Sequence, residues 1–235
     1  VVWGTAKLLV RDKTIRGAFV QSSFRGSAAV MGLAFIQNIY GSSAMGPLMI
    51  VSAVPLYNIF SVIVLTFEAN DSTGIDKKAK IRQAGINICK NPIILSILAG
   101  LIVGLLGIQF PTLVNKTVSN VAQMATPLAL ITIGAGFEGR KAIKMIKETL
   151  AASIIKLVIQ PLLFLPVAVW LGFRGDLLVA TIIMTGSPTT PSSYIMAKNM
   201  GHEGVLTSSC VVLTTMLSAI TITAQVFIVK YFGLI

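Results

Sequence analysis

The sequence predicts an all-α integral membrane protein whose transmembrane helices pack as a bundle. Of the 235 residues, 54% are hydrophobic and only 11% are charged, and the mean hydropathy is +0.85. Soluble domains of this length do not show such a balance. The apolar residues also gather into runs of about 20, the length that an α-helix needs to cross the hydrocarbon core of a bilayer.

Seven windows of transmembrane length follow a short apolar opening. The opening, VVWGTAKLLV, is too short to cross a bilayer and lacks the features of a signal peptide, so we interpret it as a helix stub. The windows are bounded by charged residues or by Gly and Pro, and they lie at residues 18–40, 45–67, 92–111, 118–137, 150–172, 177–199 and 205–230. These runs are longer than barrel strands and do not alternate, so no strand is expected.

Lys and Arg collect in alternate connections between the windows, which predicts the topology. One set of connections, together with Lys198, holds fourteen basic residues, whereas the other set holds Lys116, Arg174 and Lys230. Cytoplasmic loops are enriched in Lys and Arg. We therefore expect a multi-pass protein of the cell membrane, which in a bacterium is the inner membrane. Its C-terminus is expected on the non-cytoplasmic side. Topology also explains the net charge of +11 without any nucleic-acid partner.

Side chains that would support an enzyme or a metal site are missing from the windows. The cysteines Cys89 and Cys210 have no metal-ligand or disulfide spacing, and the single histidine, His202, lies in a loop and is expected to be solvated. No Asp or Glu lies in the middle of a window. Intramembrane catalysis needs clustered acid, base or nucleophile groups, so we expect no enzymatic activity, no cofactor and no metal. A channel or a receptor remains compatible with a helical bundle.

Two windows carry helix-breaking residues at matching positions. They read FRGSAAVMGLAFIQNIYG and TGSPTTPSSYIMAKNMG, and aligning Gly41 with Gly201 sets an offset of 160 residues that also pairs Gly26 with Gly186. Many secondary transporters contain two inverted repeats whose broken helices meet near the middle of the bilayer. Ordinary proline kinks with small-residue packing are the alternative interpretation.

The offset also divides the chain into segments. Residues 1–67 would be the remainder of a first inverted repeat, 68–91 a cytoplasmic basic linker, and 92–235 a second repeat of five transmembrane helices. The counterpart of the start of the second repeat falls about 70 residues before Val1, so the chain is expected to be truncated at its N-terminus. The complete fold would then have ten helices in a five-plus-five arrangement.

Five sequence blocks, in order, resemble the auxin efflux carrier family of permeases, which includes plant PIN carriers and bacterial malate and malonate transporters. They are FRGSAAVMGLAFIQNIYG, PLYNIFSVIVLTFE, KNPIILSILAGLIVGLLGIQFP, TPLALITIGAGFEG and SPTTPSSYIMAKNMG. The resemblance covers nearly the whole chain. It implies the fold of bile-acid-type sodium symporters and sodium/proton antiporters, with a scaffold, a transport domain and two crossed broken helices. Ser27 stands where the family often has Asn.

The resemblance implies a secondary transporter, a permease or efflux carrier that moves a small organic anion such as a carboxylate by alternating access. Malate, malonate and an auxin-like acid all remain open as substrates. No carboxylate proton relay is visible, so uniport and coupling to protons or sodium stay open, as does a homodimer. Apart from the substrate, the lipid bilayer is the partner that the sequence indicates.

The expected substrate site combines the two helix breaks with nearby polar and basic side chains. Broken helices expose backbone amides and positive helix ends that attract a carboxylate. The candidate residues are Arg25, Gly26, Ser27, Tyr57, Asn58, Lys156, Ser187, Pro188, Thr189 and Thr190. For the two cations within the windows, the alternative is that their long side chains snorkel to the interface. For Tyr57 and Asn58, it is hydrogen bonding between helices.

Overall fold

A computed structural model describes residues 1–41, 44–69 and 77–235, and these residues form helices with no strand. The helices of the first half are α1 (Val2–Leu9), α2 (Lys13–Phe24), α3 (Leu33–Tyr40), α4 (Met45–Phe67) and α5 (Lys77–Lys90). Those of the second half are α6 (Pro92–Leu105), α7 (Thr112–Ala135), α8 (Gly139–Lys144), α9 (Ile146–Ile154), α10 (Gln160–Trp170), α11 (Gly175–Gly186), α12 (Pro191–Asn199) and α13 (Val205–Tyr231). The predicted all-α class is confirmed.

Four of the described helices are long and apolar enough to cross a membrane as continuous rods. They are α4, α7, α13 and the rod Ile146–Trp170, in which a π-helical turn, Ile155–Ile159, joins α9 to α10. α5 and α6 qualify together as a fifth span that bends by 53°. The bend lies at Asn91, whose side chain caps α6 by accepting from the amide of Ile93 at 2.9 Å, with Pro92 as the first helical residue.

The predicted linker at residues 68–91 lies partly outside the described residues, because residues 70–76 fall there. Its C-terminal part is the basic helix α5. The predicted helix stub corresponds to α1.

The window at residues 18–40 is interrupted at Arg25–Ser27. Helix α2 begins after Asp12, whose carboxylate accepts from the amide of Thr14 at 2.8 Å, and it ends at Phe24. Arg25 is extended, with φ −77° and ψ 122°, and helical structure resumes as a π-helical turn, Ala28–Gly32, that leads into α3.

The window at residues 177–199 is interrupted at Ser187–Thr190, and two prolines explain the interruption. Ser187 precedes Pro188 and Thr190 precedes Pro191, and both residues are extended, with ψ 151° and 143°. A residue before proline is sterically driven out of the α conformation. Pro191 then serves as the first residue of α12, where its missing amide proton costs nothing.

The two interruptions touch each other. The backbone amide of Ser27 donates to the carbonyl of Pro188 at 2.9 Å, and the Thr189 hydroxyl donates to the carbonyl of Ser22 at 2.7 Å. These bonds satisfy polar backbone groups that the two breaks leave without partners inside their helices. We call the region where the two breaks meet the crossing.

Helices α4 and α13 hold the crossing in place. α4 packs against α2 and α11, and α13 packs against α2, α9 and α11. Apolar side chains such as Phe19 of α2 and Leu206 of α13 form the shared core. By contrast, α7 exposes Leu113, Val121 and Ile131, as expected of a helix face in an apolar solvent.

Candidate functional site

A small cavity of about 80 Å³ lies beside the crossing, between α4 and the first turns of the two half-helices that follow the breaks. Its lining contains six of the ten predicted site residues. The lining residues are Arg25, Gly26, Ser27, Ala29, Val54, Tyr57, Asn58, Thr190 and Ser192. None of them is acidic.

Arg25 is buried in the wall of this cavity, with 3% of its surface exposed. Its guanidinium donates to the Asn58 side-chain oxygen at 2.8 Å and to the Ser192 hydroxyl at 2.9 Å. Longer contacts run to the Ser61 hydroxyl at 3.4 Å and the Met196 sulfur at 3.5 Å. Across residues 1–41, 44–69 and 77–235, no carboxylate pairs with Arg25. The side chain does not snorkel, because all of these partners are inside the protein.

The partners of Arg25 on α4 are themselves held by hydrogen bonds. The Asn58 amide nitrogen donates to the carbonyl of Val54 at 2.8 Å, which orients its oxygen towards the guanidinium. The Ser61 hydroxyl donates to the carbonyl of Tyr57 at 2.6 Å. The Tyr57 hydroxyl donates to the carbonyl of Met184 at 2.9 Å and so ties α4 to α11. Tyr57 thus both lines the cavity and bonds between helices.

Two half-helices begin at the cavity. α12 starts at Pro191, and the π-helical turn that leads into α3 starts at Ala28. The first amides of a helix have no partner within the helix and carry partial positive charge. Together with the guanidinium of Arg25, they make this side of the crossing electropositive.

The other four predicted residues do not line the cavity. The Lys156 ammonium is fully buried among carbonyl oxygens of α2 and α11. Thr189 bonds the backbone of α2 through its hydroxyl, while its amide donates to the Thr214 hydroxyl at 3.0 Å. Pro188 contributes the carbonyl that Ser27 binds. The Ser187 hydroxyl is buried with no hydrogen-bond partner among the described residues.

Sequence reasoning missed Ser192, Ser61 and Gln160. Ser192 could have been predicted from the sequence as a site residue, because it is the second residue of the half-helix that begins at Pro191, directly after the break. Ser61 lies on the same face of α4 as Asn58, since residues three apart are neighbours on a helix surface. Gln160 bonds Lys156 one turn away at 3.4 Å, a pairing that the same spacing rule predicts.

The expectation that His202 is a solvated loop residue is wrong. Its side chain is buried, and its two ring nitrogens lie 3.4 Å from the carbonyl oxygen of Thr14 and 3.2 Å from that of Leu65. The loop between α12 and α13 packs against the start of α2 and the end of α4, and this packing buries His202.

Comparison with known proteins adds two findings. Residues 1–226 match the model of a family described as "Membrane transport protein". A protein of Rhizobium meliloti (strain 1021) named "Putative malonate transporter" is 25% identical over 229 residues, which cover 95% of this chain and 71% of that protein.

Proposed function

This chain belongs to the membrane transport protein family, the auxin efflux carriers that its sequence blocks resemble, and we propose that it carries a small organic anion bound to Arg25. Membership of the family makes the chain a multi-pass membrane transporter and not an enzyme. The substrate class and the transport mechanism are our proposal. The observation that carries it is a buried guanidinium that faces a cavity and has no carboxylate partner among the described residues.

A buried charge without a counter-charge is unstable, and this explains why an anion would bind here. Moving a cation out of water costs several kcal/mol, and neutral hydrogen-bond partners offset only part of that cost. Asn58 and Ser192 occupy one edge of the guanidinium. A substrate carboxylate would supply the missing charge, and the forked geometry of Arg suits a carboxylate better than the point charge of Lys would.

The cavity also suits a small ligand with more than one carboxylate. A volume of about 80 Å³ is well below the range of about 300–1,000 Å³ that pockets for drug-sized ligands show. One carboxylate would bind Arg25, and a second would face the first turns of the two half-helices beside Thr190 and Ser192. A three-carbon dicarboxylate such as malonate fits this arrangement, and the name of the Rhizobium relative supports that choice.

The same arrangement supports transport by alternating access. We count each interrupted helix as one span, which would give seven spans, and we propose that they belong to a ten-helix inverted-repeat fold. The glycines Gly41 and Gly201, paired by the offset, both have positive φ, 74° and 81°, just after the second half-helices, which supports this correspondence. We propose that a bundle holding the crossing moves against a scaffold in the cell membrane, with the C-terminus outside the cytoplasm.

Uptake of labelled malonate into proteoliposomes tests the proposal, using the natural protein expressed from its complete coding sequence. Arg25→Ala should reduce uptake at least about tenfold, because a charge-assisted hydrogen bond is lost. Arg25→Lys should reduce it less. Arg140→Ala, which changes an exposed residue, is the matched control and should leave uptake unchanged.

Preloading the vesicles with unlabelled malonate should accelerate the uptake of label, since a carrier exchanges substrate across the membrane. Single-channel currents would instead support a channel. Normal uptake by folded Arg25→Ala protein would overturn the proposed site.

A further inference from the structure

The Lys156 ammonium lies in a cage of oxygen atoms from three helices. It contacts the carbonyl oxygens of Phe24, Met184 and Thr185 at 3.3, 3.2 and 3.0 Å, and the side-chain oxygen of Gln160 at 3.4 Å. Lys156 is fully buried, and within the described residues it has no carboxylate partner. The substrate cavity does not reach it.

The backbone oxygens of this cage belong to the two helix ends that stop at the crossing. Phe24 is the last residue of α2, and Met184 and Thr185 lie in the last turn of α11. The last carbonyls of a helix lack partners within the helix and carry partial negative charge. Two such ends converge here, so a positive charge between them is stabilised.

The crossing therefore has two electrostatic sides. Half-helices begin on the Arg25 side, where an anion would bind, and half-helices end on the Lys156 side. Gly26 lies between the two, since it lines the anion cavity and a side-chain carbon there would lie 2.5 Å from the Ser187 hydroxyl and 3.1 Å from both the Lys156 nitrogen and the Met184 oxygen. The Lys156 ammonium thus donates to the carbonyl groups at the helix ends. It is not one of the residues that line the anion cavity.

A π-helical turn, Ile155–Ile159, presents Lys156 to the cage. An extra residue in such a turn disturbs the backbone hydrogen bonds of a helix, and these turns are often found at functional sites. Here the carbonyl of Leu157 is taken up by the side chain of Gln225 on α13, which donates to it at 2.9 Å. The turn is thus supported by a dedicated hydrogen bond from a neighbouring helix.

Four neutral oxygens around one positive charge are the ligand set that a hard alkali cation prefers. In secondary transporters with broken helices, the carbonyl ends of half-helices are where a coupling cation is coordinated. We propose that the Lys156 ammonium is a tethered cation that occupies this position permanently, so that the protein neither binds nor requires an alkali metal ion at the crossing. The proposal does not depend on which anion binds Arg25.

Thermal unfolding of the purified natural protein tests this, with sodium chloride and choline chloride compared at equal ionic strength. The wild type should unfold at the same temperature in both salts. Lys156→Ala should lower the unfolding temperature by several degrees, because the converging carbonyls lose their counter-charge. Sodium or methylammonium, but not choline, should restore at least half of that loss, since the truncated side chain leaves room for a small cation.

Two further variants separate charge from packing. Lys156→Met fills the same space without charge, so it should be destabilised and should not respond to sodium. Lys147→Ala removes an exposed lysine of the adjacent helix α9 and should behave like the wild type.

Three results would overturn the inference. They are a sodium-specific stabilisation of the wild type, a Lys156→Ala protein as stable as Lys147→Ala, and a destabilised Lys156→Ala protein that no small cation restores. Should Lys156→Ala fail to fold, the comparison of salts on the wild type decides alone. Malonate uptake is measured separately, so the failure of the substrate proposal would leave these results intact.

Discussion

The backbone amide of Ser27 donates a hydrogen bond of 2.9 Å to the carbonyl of Pro188, and this bond joins two broken helices at their breaks. It connects residues that are far apart in the chain. Each break frees backbone groups, and each supplies a partner for the other. The anion cavity and the lysine cage are neighbours at this crossing, because Tyr57 of the cavity and Lys156 of the cage both donate to the carbonyl of Met184.

Gly26 should tolerate no side chain. In Gly26→Ala the new methyl group would approach the Ser187 hydroxyl at 2.5 Å, and the Lys156 nitrogen and the Met184 oxygen at 3.1 Å, and such overpacking typically costs about 1–3 kcal/mol. The free energy of unfolding in detergent micelles measures the loss. Gly100→Ala is the matched control, because a methyl group there meets open space within helix α6. Equal stability of the two variants would contradict the close approach at the crossing.

Thr189 and Thr190 are adjacent but should have different roles. Thr189→Val removes the hydroxyl that binds the carbonyl of Ser22 and should cost about 0.5–1.5 kcal/mol of stability, with little change in malonate KM. Thr190→Val removes a hydroxyl from the cavity wall and should raise KM with a smaller effect on stability. Unfolding curves and uptake kinetics on both proteins test the distinction. A raised KM for Thr189→Val with an unchanged KM for Thr190→Val would contradict the placement of the substrate in the cavity.

Asn58→Asp should inhibit transport by supplying an internal anion. The new carboxylate would lie next to the Arg25 guanidinium, where the Asn58 oxygen now accepts at 2.8 Å, and a charge-assisted pair would form. Because the substrate then competes with a fixed counter-charge, malonate affinity should fall at least about tenfold while the protein remains folded. Asn115→Asp, at an exposed position on α7, is the control and should transport normally. Unchanged affinity in Asn58→Asp would argue against Arg25 as the anion ligand.

His202 should contribute to stability in spite of its position in a loop. His202→Leu removes the imidazole N–H, which in the neutral ring donates to one of the two carbonyls, that of Thr14 or that of Leu65, and an unpaired buried polar group costs about 1–3 kcal/mol. Glu203→Gln changes the neighbouring exposed residue, whose ion pair with Lys141 should be worth less than about 1 kcal/mol. Thermal unfolding of both variants provides the comparison. A milder effect for His202→Leu than for Glu203→Gln would show that the loop does not fasten these helices.

The breaks in the two helices could be predicted from the sequence because their causes are local. Proline disfavours the α conformation at the preceding residue wherever it occurs, and the SPTTP segment contains two such prolines, Pro188 and Pro191. The hydropathy windows are equally local, and four of them overlap the continuous helices that are long and apolar enough to cross a membrane. The interruption at Arg25 was less evident, since Gly26 permits a break without requiring one.

His202 shows where such reasoning ends. Its neighbours in the chain suggest a solvated loop, but its surroundings are carbonyl groups of α2 and α4, which lie far away in sequence. Burial depends on which other elements pack over a residue, and that information is not contained in a local pattern.

Arg25 and Lys156 make the same point for the candidate site. As buried cations within apolar windows, they look alike in sequence, and both were expected to bind the substrate. Their environments differ because Arg25 lies where helices begin and Lys156 lies where helices end. Residue type and hydropathy were enough to place each charge within an apolar window, and the structure buries both. Whether the positive or the negative end of a helix faces each charge depends on how four separate segments meet at the crossing. Only the tertiary structure decides this.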